Sequence, residues 1–292
     1  DLKLTHFINE EQKFDYTIRF PGLLAKSIWG FKALPDGSFW FGSQGHTHWG
    51  STPPGIYHYS GDLWEKLIFP ASIPDNWIND CARTDDGRLW FGTKSGLVNF
   101  DGQKWEVLFS QAVLPDSITF LLPGADNSIW VGDSYRLSSI GPQIRQFEDE
   151  NLQLPLITSA ASDGQTVWLG GYDGSVWQFN GREFINLPLP SQEGFFDLTA
   201  LAAATDNRVW AGFSQGNIFE LGENGWQNIS LHDFGAVSVM NYDQDVLWAV
   251  IFPVDSSIPN VFTYDSNSWQ LHEITIFNDS ENVTTILNAS DG

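Results

Sequence analysis

The chain has 292 residues, 42% of them hydrophobic and 17% charged, enough apolar material for a core in a closed all-β unit. Its 36 acidic residues against 14 basic ones give a net charge of −22, which excludes nucleic acid and anionic membrane surfaces as partners, because both need clustered Lys and Arg. The single cysteine, Cys81, excludes an intrachain disulfide and a Cys-x-x-Cys motif, and no run approaches the roughly 18 apolar residues of a membrane span.

From the N-terminus, Asp1-Leu2-Lys3-Leu4 is not a signal peptide, and the chain reads as a mature product or an excised domain. Leu4-Thr5-His6-Phe7 and Phe14-Asp15-Tyr16 then read as two strands within residues 1–20. From residue 27 onward a unit repeats. Trp-x-Gly occurs at Trp40-Phe41-Gly42, Trp90-Phe91-Gly92, Trp130-Val131-Gly132, Trp168-Leu169-Gly170 and Trp210-Ala211-Gly212, and a sixth copy, Trp248-Ala249-Val250, has lost its Gly. The spacing is 38–50 residues. Each copy follows a short apolar run and a turn such as Asp36-Gly37, Asp86-Gly87 or Asp206-Asn207, residues that supply the positive φ of tight hairpins. A Gly-led strand and a second turn come next, as in Gly96-Leu97-Val98-Asn99-Phe100 before Asp101-Gly102. The unit ends on an aromatic: Trp64, Trp105, Phe147, Phe184, Trp226 or Trp269. Cys81, in the first of these strand-like runs of its repeat, is expected as a small buried apolar residue.

Four short strands, a to d, in about 40 residues define a propeller blade, since one such sheet cannot cover its own faces and must stack on copies of itself. The expected fold is therefore all-β: a single seven-bladed β-propeller of four-stranded antiparallel blades over residues 1–292. Six full blades occupy 27–281. The last blade is shared between the termini, with strands c and d from residues 1–20 and strand a from 282–292, around Val283-Thr284-Thr285-Ile286-Leu287. Its strand b is missing, which suggests several further residues beyond 292. The Trp of strand b is expected as a wedge between blades, and the Gly two residues later as the place where the neighbouring blade comes too close for a side chain.

The string Asp86-Gly87-Arg88-Leu89-Trp90-Phe91-Gly92-Thr93-Lys94-Ser95-Gly96-Leu97-Val98-Asn99-Phe100-Asp101-Gly102 resembles the two-component regulator propeller repeat over its whole length, with weaker copies over most of 27–292. That resemblance implies the periplasmic or extracellular sensor region of a signalling protein, in a family several of whose members sense carbohydrate breakdown products. It implies sensing and no catalysis. These 292 residues contain no kinase or cyclase segment, in keeping with an excised domain or a stand-alone secreted protein.

In such a ring the b–c and d–a connections open on one face, where any site is expected, and the tight a–b and c–d turns on the other. Two b–c loops are enlarged, 44–54 and 251–260, in the blades that flank the shared one. The first carries His46, His48 and Trp49, a His-x-His pair beside a stacking platform; with no third ligand evident, no metal is expected. The second carries Phe252. Trp29, Trp77, Asp80, Arg83, Phe196 and Asp197 fall at or near the starts of inner strands and are expected to line the channel mouth, suited to a neutral or cationic solute. The candidate ligand-binding set is Trp29, His46, His48, Trp49, Trp77, Arg83, Phe196, Asp197 and Phe252, for a small molecule, a carbohydrate or a partner protein, a second copy included, and with no cofactor. There is no Gly-x-Ser-x-Gly, His-Glu-x-x-His or phosphate-binding loop. The alternatives are a propeller lyase or glycoside hydrolase, whose mark would be a cluster of His and Glu at the channel mouth, and an interaction scaffold.

Overall fold

A computed structural model describes residues 2–9, 12–18, 28–33, 38–43, 55–60, 63–67, 77–109, 117–141, 143–147, 154–190, 197–232, 234–243, 245–254 and 260–272. They form six four-stranded antiparallel sheets in consecutive order along the chain and one two-stranded sheet. The six sheets are blades one to six, beginning at Ile28, Ile78, Phe120, Ile157, Leu198 and Phe234. Each runs a-b-c-d, and strands a of successive blades lie against one another from blade one to blade six, so strand a is the inner strand of the ring. The closing aromatics all fall in strand d. The N-terminal pair is observed as Leu2–Asn9 against Gln12–Ile18. The strand expected to join it, at 283–287, lies outside the described residues.

The repeat Trp wedges into the following blade. Trp40 packs among Leu89, Phe91 and Val98 of blade two, and Trp90 among Ile129, Val131 and Ile140 of blade three. Trp130 is seated on Val167, Leu169 and Phe179, Trp168 on Val209, Ala211 and Phe219, and Trp210 on Leu247, Ala249 and Phe262. The glycine notch is equally regular. A Cβ on Gly42 would stand 2.2 Å from Ile78, on Gly92 2.5 Å from Ile118, on Gly170 2.3 Å from Leu198 and on Gly212 2.7 Å from Val237. In each of these four the intruding side chain comes from the next blade, from its strand a or, for Ile118, from two residues before that strand. Cys81 is buried, as a small apolar residue in that position should be.

Strand a carries a β-bulge, seen as a register skip at Ile78/Asp80, Ile157/Ser159 and Leu198/Ala200. A bulge withdraws one residue from the ladder and turns its groups toward a new partner. Here the partner is the next blade. Asn79 Nδ2 donates to the Ile118 carbonyl at 2.7 Å, and the Thr158 and Thr199 hydroxyls donate to the Leu198 and Val237 carbonyls. The residue after the bulge accepts in return, Asp80 Oδ2 from the Leu121 N–H at 2.7 Å and Ser159 Oγ from the Leu201 N–H at 2.9 Å.

Strand b of blade six is longer than its repeat suggests, Val246–Pro253, paired with a ten-residue strand a, Phe234–Asp243. The unbroken apolar run Val246-Leu247-Trp248-Ala249-Val250-Ile251-Phe252-Pro253 is paired from Val246 to Ile251 and again at Pro253, and stays in the sheet. Residues 251–253, read from sequence as loop, are therefore strand.

Candidate functional site

The two faces of the ring differ in chemistry. On the a–b face, the ends of strand a from blades two to six converge on a cavity of 650 Å³ whose lining includes Asp85, Gly124, Asp163, Ala204, Tyr242 and Asp245. Small side chains leave it wide, and no basic residue lines it among the described residues. Its carboxylates partly serve the turns: Asp163 Oδ1 accepts the N–H groups of Gln165 and Thr166 at 2.8 and 2.7 Å. Tyr242 is fixed from outside the cavity. Arg208 donates to its hydroxyl and stands 5.1 Å over its ring and 5.2 Å over that of Trp210, while Arg208 Nε bonds Asp206 at 2.8 Å. The Glu220 carboxyl lies 3.8 Å from Arg208. Burial pushes it above the usual carboxylate range even though the guanidinium pulls it down. This charged group thus serves as a staple between blades five and six.

The b–c/d–a face is built where the b–c turn of one blade meets the start of strand a in the next. Backbone hydrogen bonds stitch the two: Ile118 N–H to Thr93 O at 3.1 Å, Ile157 N–H to Ser134 O at 2.8 Å, and Asp197 N–H to Tyr172 O at 2.8 Å. The residue just before the notch-filling aliphatic is Trp77, Ser117, Leu156, Asp197 or Ala236, by blade, so Trp77 and Asp197 occupy equivalent rim positions. Trp77 is 42% exposed, with the Lys94 ammonium 5.7 Å over its ring. Asp197 has φ of 63°, a left-handed conformation that Asp tolerates better than most residues, and its Oδ1 is buried without a hydrogen-bond partner among the described residues.

Exposed large apolar side chains collect on this face. Tyr135 is 62%, Tyr172 53% and Val254 70% exposed, with Leu156 beside them. Tyr135, Leu156 and Tyr172 form one arc, because Ser134 is bonded to Ile157 and the Tyr172 N–H to the Leu156 carbonyl at 2.8 Å. Tyr135 and Tyr172 were not among the sequence candidates. Their one signal is an aromatic inside a tight polar turn, Asp133-Ser134-Tyr135 and Tyr172-Asp173-Gly174, where nothing structural calls for one.

The sequence candidates do not all gather. Arg83 is the last residue of strand a in blade two (Ile78–Arg83), at the opposite end from Trp77 and so roughly 20 Å away at the rise of an extended strand. Phe252 sits in strand b of blade six, partly buried. His46, His48, Trp49 and Phe196 lie outside the described residues, and of Trp29 only the backbone, in strand Ile28–Ala33, is described. Among the described residues no three His, Cys, Asp or Glu side chains converge as metal ligands, and no helix is long and apolar enough to cross a membrane.

Residues 72–95, covering strands a and b of blade two, match the family model of the two component regulator propeller, and this stretch is such a repeat. No curated protein matches the chain. Among solved structures, the extracellular domain of BT4673 from B. thetaiotaomicron, described both as a one component and as a hybrid two component system, is similar with a TM-score of 0.62 and 19% identity. The similarity covers 90% of this chain and 34–35% of that one, so the chain spans about a third of that domain's length. YCF48 bound to D1 peptide is similar with a TM-score of 0.63 and 13% identity, over 84% of this chain and 80% of that one. At these identities the likeness is one of fold: all three structures share the β-propeller.

Proposed function

We propose that the chain is a non-catalytic sensing domain that binds its ligand on the b–c/d–a face. The observation that carries this reading is the concentration there of exposed aromatics, Trp77, Tyr135 and Tyr172, which fold stability does not require. An exposed ring offers a flat apolar platform, and the rim beside it supplies polar groups, the mixture that small-molecule sites use. The ligand class is a small neutral or cationic solute or a glycan, in keeping with an acidic chain. A location outside the cytoplasm accords with the extracellular BT4673 domain as the similar structure.

Two features favour binding over catalysis. The carboxyls held below their usual range, Asp86, Asp101, Asp206 and Asp265, are engaged in turn hydrogen bonds. Among the described residues the one held above it, Glu220, faces Arg208 in the staple between blades five and six. Neither kind stands at the aromatic face, whereas catalysis would call for displaced groups beside the ligand.

Thermal-shift measurement against mono- and oligosaccharides, amines and divalent cations tests the reading. A ligand that binds the folded state raises the melting temperature by mass action, and Tyr172→Ala or Trp77→Ala is expected to abolish that rise while leaving the unliganded melting temperature within a few degrees. A rise that survives both substitutions would move the site away from this face. No rise across the panel would replace the solute with a protein partner on the same aromatics.

A further inference from the structure

Three features recur at the seams between blades, and all three break at one seam. At the second-to-third and fourth-to-fifth seams a bulge side chain donates to the carbonyl of the next blade, and the residue after it accepts an N–H from that blade. The fifth-to-sixth seam keeps the first of these bonds and adds the Arg208 staple to Tyr242 and Ser266. At the seam from blade three to blade four, Thr119 has the position of Asn79 and Thr158; like Thr158 and Thr199 it donates to the strand-b glycine of its own blade, Gly132 at 3.3 Å, but unlike them it makes no bond to the next blade among the described residues. Phe120 has the position of Asp80 and Ser159 and offers no acceptor.

The notch is altered too. A Cβ on Gly132 would stand 2.0 Å from Phe120 Cζ, a side chain of the same blade, where the other four notches are filled by a side chain of the next. Phe120 thus lies where the fourth blade's Ile157 would enter, and it joins the aromatic cluster of Trp130, Phe147 and Phe179. Among the described residues, what remains across the inner part of this seam is apolar packing and two backbone bonds at its ends, Ile157 N–H to Ser134 O and Ala125 N–H to Gly164 O.

We infer that the boundary between the third and fourth blades is the compliant seam of the ring, created by Phe120. Apolar contact tolerates sliding that a pair of directed hydrogen bonds resists. The exposed arc crosses this same seam, Tyr135 from blade three and Leu156 and Tyr172 from blade four, so an occupant of the arc bridges it. That last consequence rests on the functional reading above; the seam itself does not.

Hydrogen exchange of the unliganded protein, read by mass spectrometry, tests the seam alone. Strand a of blade four (Ile157–Ser162) is expected to exchange about tenfold faster than strand a of blade five (Leu198–Ala203), the ratio that one or two ordinary hydrogen bonds support. Phe120→Ser, which restores the residue type found at Ser159, is expected to slow exchange over Ile157–Ser162 toward that of blade five. Equal exchange of the two strands in the unaltered protein overturns the inference, whether or not the variant folds. So does a folded Phe120→Ser protein with unchanged exchange.

Discussion

The indole N–H of Trp90 donates to the Thr84 hydroxyl at 3.2 Å, whereas those of Trp40, Trp130 and Trp210 are buried with no acceptor among the described residues. The residue six positions before the Trp makes the difference. It is Thr84 in blade two, Gly124 in blade three and Ala204 in blade five. Ala204 borders the a–b cavity, so a hydroxyl there has space. Ala204→Ser is expected to supply the missing acceptor for Trp210 and raise stability by about 1 kcal/mol, read as a higher urea midpoint. The notch works in the opposite direction. Gly92→Ala drives a methyl into the Ile118 Cγ2 and is expected to cost about 1–3 kcal/mol, and the cost should be smaller in an Ile118→Ala background, which lacks that Cγ2. At this scale the sequence was most informative. Trp40 to Trp210 as wedges and Gly42, Gly92, Gly170 and Gly212 as notches follow from the motif, because a small residue two places from a large one in a strand points to the same face; Gly132, filled by Phe120 of its own blade, departs from it. Tyr135 and Tyr172 were hidden, since neither belongs to the repeating positions.

The strands themselves were largely legible, and their registers were not. Strand d could be placed from its aromatics, and the N-terminal pair from Leu4-Thr5-His6-Phe7 and Phe14-Asp15-Tyr16. The bulges left no mark that composition could reveal. Asn79, Thr158 and Thr199 read as ordinary polar residues in alternating strands, and only pairing shows that each has been released to serve the next blade. Asp80 illustrates the consequence. Read from sequence as a channel-lining group, it accepts the N–H groups of Cys81 and Leu121 at 2.8 and 2.7 Å and holds blades two and three together. Asp80→Ala strands the Leu121 N–H and is expected to cost about 1–3 kcal/mol, while Asp80→Asn keeps an acceptor and should cost less; urea midpoints of the two variants decide it. The longer strand b of blade six escaped for a related reason: its repeat lacks the Gly that elsewhere marks the end of the strand, and the apolar run continued into what looked like loop.

Across the whole molecule the charge of −22 is spread unevenly. The turns of the a–b and c–d face carry Asp86, Asp101, Asp206 and Asp265, each holding its carboxyl below the ordinary range. For Asp101 and Asp265 the cause is hydrogen bonding from backbone N–H groups two and three residues on, Gln103 and Lys104, Asn267 and Ser268. For Asp86 and Asp206 burial acts upward, but bonds and charge from Thr84, Arg88 and Arg208 outweigh it. A carboxyl depressed in the fold stabilises it fully above the unfolded value, about 3.9 for Asp, and loses that contribution as pH falls through the folded value. Glu220, raised by burial, works in the opposite sense, with its contribution present at low pH and lost as pH rises. With four groups against one, the melting temperature is expected to fall steeply below about pH 4. Asp→Asn at the four turn positions should flatten that slope, since the amide oxygen still accepts but no longer titrates. The a–b cavity could not be foreseen at this scale, because it depends on how Gly124, Asp163 and Ala204 from separate repeats come to face one another.

Each repeat Trp belongs to one stretch of sequence and its socket to the next, as with Trp90 among Ile129, Val131 and Ile140. Copying or deleting one whole repeat therefore leaves every wedge with a socket of the right kind, whereas a crossover inside a repeat also divides one four-stranded ladder between two lineages. Arrays built on this plan should grow and shrink by entire units, and chimeras joined at the d–a connections should fold where those joined between strands b and c do not.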